Sequence, residues 1–323
     1  MPYDSQINRT GATALIPEVA SREILAGMTD ASWLLGLAQR LPDMSTKQTR
    51  MPVLSTLPTA YFVTGDAGLK GTTEVAWDNK YIDAEEVAVI VPIPQSVLDD
   101  ASYDIWAQIR PLIVNAFNKA VTGAVFYGTN IPSTWTVNLG AAGLVAFCLA
   151  AGSYASLASF TDPYEAILGE SSDGAADGLL ALIEADGYQA TGHVAHTSMR
   201  AQLRNVRTTE GMPIFNAVPD SKARYQLDGV DCYFPADGSI SSTYKLISGQ
   251  WDQLVYAMRQ DITYRMLTEG VISDAGGNIV YNLPQQDMVA LRAVMRIGFA
   301  LPNPINYMQG TEASRSPFAY LAA

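Results

Sequence analysis

The sequence predicts an α+β protein, and three features carry that expectation. A long helical stripe lies near residues 98–128, strand-like runs gather in the last third, and residues 46–85 have the pattern of a long β-hairpin.

The first ten residues are polar. Amphipathic stretches follow at residues 18–27 and around 33–40, and Pro17 and Pro42 bracket them, as expected where helices start and end. Residues 46–85 mix Thr, Ser, Gly and Pro with alternating apolar residues, as in Tyr61-Phe62-Val63 and Glu74-Val75-Ala76-Trp77. Between these runs, Gly65, Gly68 and Gly71 predict a flexible hairpin tip. Few large apolar side chains are available to close this hairpin over a core, so it is expected to project.

Residues 86–93 (EVAVIVPI) form a Val/Ile run of strand length, expected to stop at Pro92 and Pro94. The helical stripe runs through Leu98, Ala101, Ile105, Ile109, Leu112, Ala116 and Ala120, widened by Phe117, Val121, Ala124 and Val125. Asp99, Asp100 and Asp104 lie toward its start, where the helix dipole favours anions, and Gly128 marks its end. Pro111 removes a backbone donor, which predicts a kink or break. Residues 129–172 read as irregular. Beyond them the pattern predicts a helix over 178–187, a strand over 192–196 and a helix from 197 to about 207. Strands are expected at 229–235, 244–248, 254–267, 279–283 and 287–299, with a tight turn at 273–278 (SDAGGN).

Composition narrows the function. Charged residues make up 16%, against about a quarter in an ordinary soluble chain, while 48% apolar residues suffice for a large core. That balance favours a subunit that buries surface against copies of itself. The formal net charge is −12, and the nearest approach to a basic cluster is Arg200, Arg204 and Arg207. A reader of nucleic acid needs a basic patch to displace counterions from phosphates. A container that repels its packaged DNA does not.

No catalytic residue, metal or cofactor is expected. Cys148 and Cys232 lie far apart and, with His193 and His196, have no zinc-site spacing; they read as packed free thiols. No GxSxG surrounds Ser198, so a hydrolase built on His196 and Ser198 is the weaker alternative class. Asp83, Glu85 and Glu86, like Asp99 and Asp100, lack the spacing of a calcium loop. The glycines at 65, 68 and 71 lack the Lys-Ser/Thr of a phosphate loop. No signal-peptide pattern opens the chain, and residues 139–152 (LGAAGLVAFCLAAG) are too short to span a bilayer, so no membrane partner is expected.

Three stretches resemble the major capsid proteins of tailed bacteriophages. Residues 87–128 look like that family's strand leading into its spine helix. Residues 192–215 (GHVAHTSMRAQLRNVRTTEGMPIF) resemble its axial-domain strand, helix and Gly-x-Pro segment. LDGV at 227–230, SGQW at 248–251 and LRAVMRIGFALPNP at 291–304 are similar to its late blocks; Asp231 and Gln250 depart from the more usual Pro and Asp.

The resemblance implies an N-terminal arm (1–45), an extended loop (46–85), and a peripheral domain from 86–128 and 245–300. It implies an axial domain from 129–244, joined by 301–323. It further implies pentamers and hexamers closing an icosahedral shell around double-stranded DNA, without sequence-specific binding. A separate scaffolding protein and a portal would be partners, with assembly in the host bacterial cytoplasm. The alternative within the fold is an encapsulin-like nanocompartment shell, whose members begin with a cargo-holding helix where this chain begins polar. Candidate subunit contacts are Tyr61, Phe62, Lys70 and Trp77 on the loop, and Asp274, Gly276, Gly277 and Asn278 in the late turn. These four turn residues are types that accept positive φ. Some relatives join a loop Lys to a neighbour's Asn beside a buried Glu; Lys70, Asn278 and Asn282 supply two of the residue types. A solvated lysine is protonated and a poor nucleophile, so noncovalent shells are expected.

Overall fold

The computed structural model describes residues 32–63, 69–100, 105–140, 142–169, 171, 174, 177–206 and 225–323. The predicted helix at 18–27, Gly65, Gly68 and the basic residue Arg207 lie outside them.

A short helix α1 (Trp33–Leu37), capped by the Ser32 hydroxyl, leads into β1 (Gln39–Arg40). The hairpin follows as β2 (Gln48–Thr56) and β3 (Ala76–Asp83), paired antiparallel from Gln48↔Asp83 to Thr56↔Ala76. Next come β4 (Glu85–Pro94), α2 (Gln95–Asp100) and the long helix α3 (Ile105–Tyr127). The region expected to be irregular holds α4 (Thr136–Leu139), α5 (Gly143–Ala151), β5 (Tyr154–Ser156) and α6 (Pro163–Leu168). Helix α7 (Leu179–Ala185), β6 (Gly192–Ala195) and α8 (Thr197–Asn205) fall where expected. The chain continues through β7 (Tyr225–Leu227), β8 (Val230–Tyr233), β9 (Tyr244–Gly249) and β10 (Val255–Leu267). It ends with β11 (Val271–Ser273), β12 (Ile279–Asn282), β13 (Met288–Ala300) and β14 (Phe318–Ala322).

Two sheets organise the body. One has the order β1-β10-β13-β4, the other β5-β14-β9-β6-β8-β7. Phe117, Val121, Val125 and Phe126 of α3 are buried with Met295, Ile297 and Phe299 of the first sheet and Val194 and Ile247 of the second. Trp251 joins them, its ring edge-on to Trp33 and Phe318. A second core packs α6, α7 and α8 on the other sheet, through Ile167, Leu179, Ile183, Met199 and Leu203.

Four local expectations need correction. The stripe predicted along α3 holds only in part: Phe117, Val121, Ala124 and Val125 are buried as expected, but Leu112, Ala116 and Ala120 are exposed, and Ile113 and Val114 face the core instead. Alanine counts as apolar in a periodicity but contributes little burial, so the bulkier set decides the face. Helix α3 also runs unbroken through Pro111, which sits on the exposed flank where one missing backbone bond costs least. Pro92 lies inside β4 instead of ending it, because β4 is an edge strand among the described residues and tolerates a residue without an N–H, while the strand does end at Pro94 as expected. Tyr61-Phe62-Val63 is not a strand; the hairpin ladder stops at Thr56.

Gly128 does end α3. Its φ of 66° suits glycine, and a Cβ there would fall 2.5 Å from the Ala142 backbone.

Candidate functional site

Among the described residues the hairpin β2–β3 is a two-stranded ribbon with no third strand. Its root is fixed in a small core where Ile82 and Ala84 meet Met44, Val255, Ala257 and Ala300. Trp135 Nε1 donates to the Asp83 carbonyl (2.8 Å), and Asn138 Nδ2 donates to the Tyr81 carbonyl (2.6 Å). The segment after β13 braces the ribbon from the other side. Ile305 N donates to the Leu54 carbonyl (3.2 Å), Tyr307 Oη to the Pro58 carbonyl (3.4 Å), and Lys80 pairs with Glu312.

Beyond these braces the ribbon lacks cover. Tyr61 is 50% exposed and Trp77 67%; Phe62 and Leu69 are essentially bare, and Lys70 is exposed. An isolated two-stranded hairpin is marginal in water, and bare aromatics on it mark a surface meant to be covered.

The predicted late turn joins β11 to β12. Asp274 Oδ1 accepts from the N–H groups of Gly276 (2.9 Å) and Asn278 (2.8 Å), and Oδ2 accepts from Asn278 Nδ2 (3.1 Å). The Asn278 side chain, then these backbone donors, hold the Asp274 carboxyl below the usual carboxylate range. Of the four turn residues, Gly277 alone has a positive φ (82°); Asp274, Gly276 and Asn278 do not, a correction to the expectation. Gly277→Val should therefore strain the turn by about 1–2 kcal/mol. Gly276→Val, whose Cβ would meet Asn278 Nδ2 and Asp274 Oδ1 at 3.3 Å, should strain it less. Shell yield and heat resistance of the two variants check that order. The same hairpin presents exposed Val271, Ile279, Val280 and Tyr281.

The structure thus gathers Tyr61, Phe62, Lys70 and Trp77 on one projection and Asp274, Gly276, Gly277 and Asn278 on another. Large apolar residues that the sequence reading did not single out as exposed include Leu112 and Val137, and Tyr307 with Met308 on the brace. A helical wheel phased on Phe117 and Val121 puts Leu112 outside.

The histidines serve the fold. His193 is fully buried, its Nδ1 2.7 Å from Ser248 Oγ, and burial pushes its pKa down to about 4. His196 caps α8: its Nδ1 accepts from Ser198 N (3.2 Å) and lies 2.8 Å from Ser198 Oγ. Burial pushes both thiols, Cys148 and Cys232, up to about 12, which leaves them inert. The unfolded chain protonates His193 near 6.5, the folded chain only near 4. Stability should be full above pH 6.5 and fall as pH drops toward 4, by up to about 3 kcal/mol. Thermal melts at pH 7 and 4.5 should show that loss, and His193→Gln should flatten the slope.

Among the described residues there is no cluster of three or more His, Cys, Asp or Glu placed to hold a metal ion. No described helix is long and apolar enough to cross a membrane.

Comparison with known proteins agrees with this geometry. The profile of the phage capsid family matches residues 12–309. The major capsid protein of Staphylococcus phage 80alpha is 26% identical over 283 residues, covering 85% of this chain and 78% of that one. A solved structure from Microbacterium phage Oxtober96 superposes with a TM-score of 0.75 at 29% identity, covering 90% of this chain and 91% of its own. One from Mycobacterium phage Adephagia gives 0.72 at 28%, covering 98% of each. With a profile match along most of its length and a body that superposes on these phage structures, the chain belongs to the phage capsid family, the shell-forming major capsid proteins of bacteriophages.

Proposed function

We propose that this chain assembles with copies of itself into pentamers and hexamers that close an icosahedral shell around double-stranded DNA. The observation that carries this is the projecting hairpin, whose aromatic side chains Tyr61, Phe62 and Trp77 are left half or more exposed by the described residues of their own subunit. By the same reading, residues 1–45 act as an arm and 46–85 as the loop that reaches a neighbour. Residues 86–128 and 245–300 form the peripheral domain; 129–244 with 301–323 form the axial domain. A separate scaffolding protein and a portal direct assembly in the host bacterial cytoplasm. The net charge of −12 suits a wall that does not bind the DNA it encloses.

Electron microscopy of the expressed chain, with its scaffolding protein, tests this. Closed particles with five- and six-fold rings are expected; a stable monomer from micromolar to near-millimolar concentration overturns it. Particles that enclose an enzyme in place of DNA would instead support the nanocompartment alternative.

The shells are expected to be noncovalent. Asn278 is engaged by Asp274, and Asn282 Nδ2 donates to Gln285 Oε1 (2.7 Å). Boiled in detergent, mature particles should give one band near 34.8 kDa. A ladder of multimers that vanishes in Lys70→Ala would overturn this.

A further inference from the structure

We propose that Arg265 and Arg292 form a binding site for a dianionic oxyanion of the phosphate class. The site lies on the face of the first sheet that is turned away from α3.

The strand ladder makes the pair. Arg265 of β10 and Arg292 of β13 stand directly opposite each other in the antiparallel register. The next pair, Tyr264 and Ala293, is buried in the main core, so alternation turns both arginines to the other face. Opposed side chains start about 4.5–5.5 Å apart at Cβ, and like charges so placed destabilise a sheet. An acid beside them would relieve this, as happens further along the same face. There Arg296 donates from Nε and Nη2 to Glu86 Oε2 (3.0 and 2.8 Å). Among the described residues, Arg265 and Arg292 have no such ion pair. Ile90, not an acid, stands opposite Arg292 on β4, and Arg292 Nε is shut off from solvent with no acceptor. This face of β4, β13 and β10 carries three arginines against one glutamate, in a chain of net charge −12.

Charge and oxygen count select the ligand. A carboxylate carries one charge, and its two oxygens match a single guanidinium fork. A nucleic-acid phosphodiester likewise carries one charge. Free phosphate or a phosphomonoester carries about −1.5 to −2 near neutral pH and offers at least three strong acceptor oxygens. Such an anion can lie across both forks and neutralise both arginines, the side chain best shaped for phosphate. Ala290 and Val294, which flank Arg292 on this face, are buried and give the site an apolar floor that strengthens each charged bond. The place of the pair gives the ligand an effect. Strand β10 ends at Leu267 and β13 begins at Met288, so the arginines sit at the base of the β11–β12 hairpin. A dianion bridging the two strands would staple that base. This inference concerns the single subunit and does not rest on shell assembly.

Equilibrium dialysis of the full chain against radiolabelled inorganic phosphate, with ionic strength fixed by chloride, tests this. Saturable binding of a single phosphate per chain is expected, weakened at least about tenfold by Arg265→Gln or by Arg292→Gln. Arg50→Gln removes the same charge from the exposed face of the ribbon and should change binding less than about twofold. Arg265 is exposed, so Arg265→Gln keeps the test decisive even if Arg292→Gln fails to melt cooperatively. Sulfate, also a dianion, should displace the phosphate; dimethyl phosphate, a monoanionic diester, should not. Lowering the pH from about 8 to about 6 should weaken phosphate binding but not sulfate binding, because only phosphate takes up a proton there. Amide exchange at Leu267 should slow when phosphate is added. Absence of saturable phosphate binding, or equal binding by the Arg265→Gln/Arg292→Gln double variant, would overturn the site. Displacement by dimethyl phosphate as readily as by sulfate would overturn the choice of a dianion.

Discussion

Replacing residues 57–75 with Asn-Gly should give a subunit that melts cooperatively but closes no shells. The ladder shows that β3 starts at Ala76, so this cut keeps the Leu54↔Trp77 and Thr56↔Ala76 pairs. Asn-Gly fits the two-residue turn that then joins the strands. None of the described residues removed is buried, and among the braces only the Tyr307–Pro58 bond is lost. The melting temperature should therefore shift by only a few degrees, since about 1 kcal/mol corresponds to roughly 2–4 °C in a chain of this class. Assembly loses far more. Burying a Phe or Leu side chain contributes about 1.5–3 kcal/mol, so losing Phe62 and Leu69 weakens each contact by about a hundredfold or more. Calorimetry and negative-stain micrographs of one preparation read both outcomes. Normal shells would show that the projection carries no contact.

Arg315→Met should be a severely damaging change in the body, at about 2–6 kcal/mol for the two backbone carbonyls that lose their donor. Arg315 is 2% exposed. Its guanidinium donates from Nε to Asn303 Oδ1 (3.2 Å), from Nη2 to the Asn303 carbonyl (2.7 Å) and from Nη1 to the Gln309 carbonyl (2.8 Å). Asn303 is held at a φ of 44°, accepts from Tyr188 Oη (2.9 Å) and donates to the Arg315 carbonyl (3.0 Å). The segment from 303 to 315 is thus wound around one planar cation. Methionine fills much of the volume but leaves buried acceptors without donors, at about 1–3 kcal/mol each. Lysine should not rescue it, because one ammonium cannot reproduce the fork. The same segment carries Ile305, Tyr307 and Glu312, so the hairpin should loosen with it. Denaturant titration should show the loss of stability, and amide exchange at Ile305 should quicken. An unchanged midpoint in Arg315→Met would refute the arrangement.

Where local chemistry decides, the sequence was legible. Asp274 to Asn278 has the composition of its turn, Gly128 ends its helix, and the hairpin strands announce themselves by glycine, proline and alternation. Tertiary partners decided the rest. The face of α3 depends on which residues meet the sheet, and the predicted stripe shared its alanines with the wrong flank. Pro94 does end β4, but Pro92 looks like a terminator until the neighbour on only one side of the strand is known. Residues 129–172 read as irregular because their helices are short and rely on contacts with α3 and β14. Nothing local to Arg315 or Asn303 signals a buried node; its partners come together only through the loop itself. The exposed surfaces followed the same division: bare aromatics on a weak hairpin were visible in sequence, whereas the outward-facing Leu112 and Val137 were not.

The passage from β9 to β10 bears on how a curved particle could be tiled. Between Gly249 and Val255 the chain crosses from one sheet to the other in a single turn around Trp251. That indole is 1% exposed, donates to the Gly192 carbonyl (2.9 Å) and is wedged among Trp33, Phe126 and Phe318. Flexing one sheet against the other would shear this aromatic wedge, so the two sheets are expected to move as one body. Identical bodies that meet at different dihedral angles must take up the difference in their thin appendages. On the proposed assembly, particles of different diameter are expected to share one body and to differ in the pitch of the ribbon.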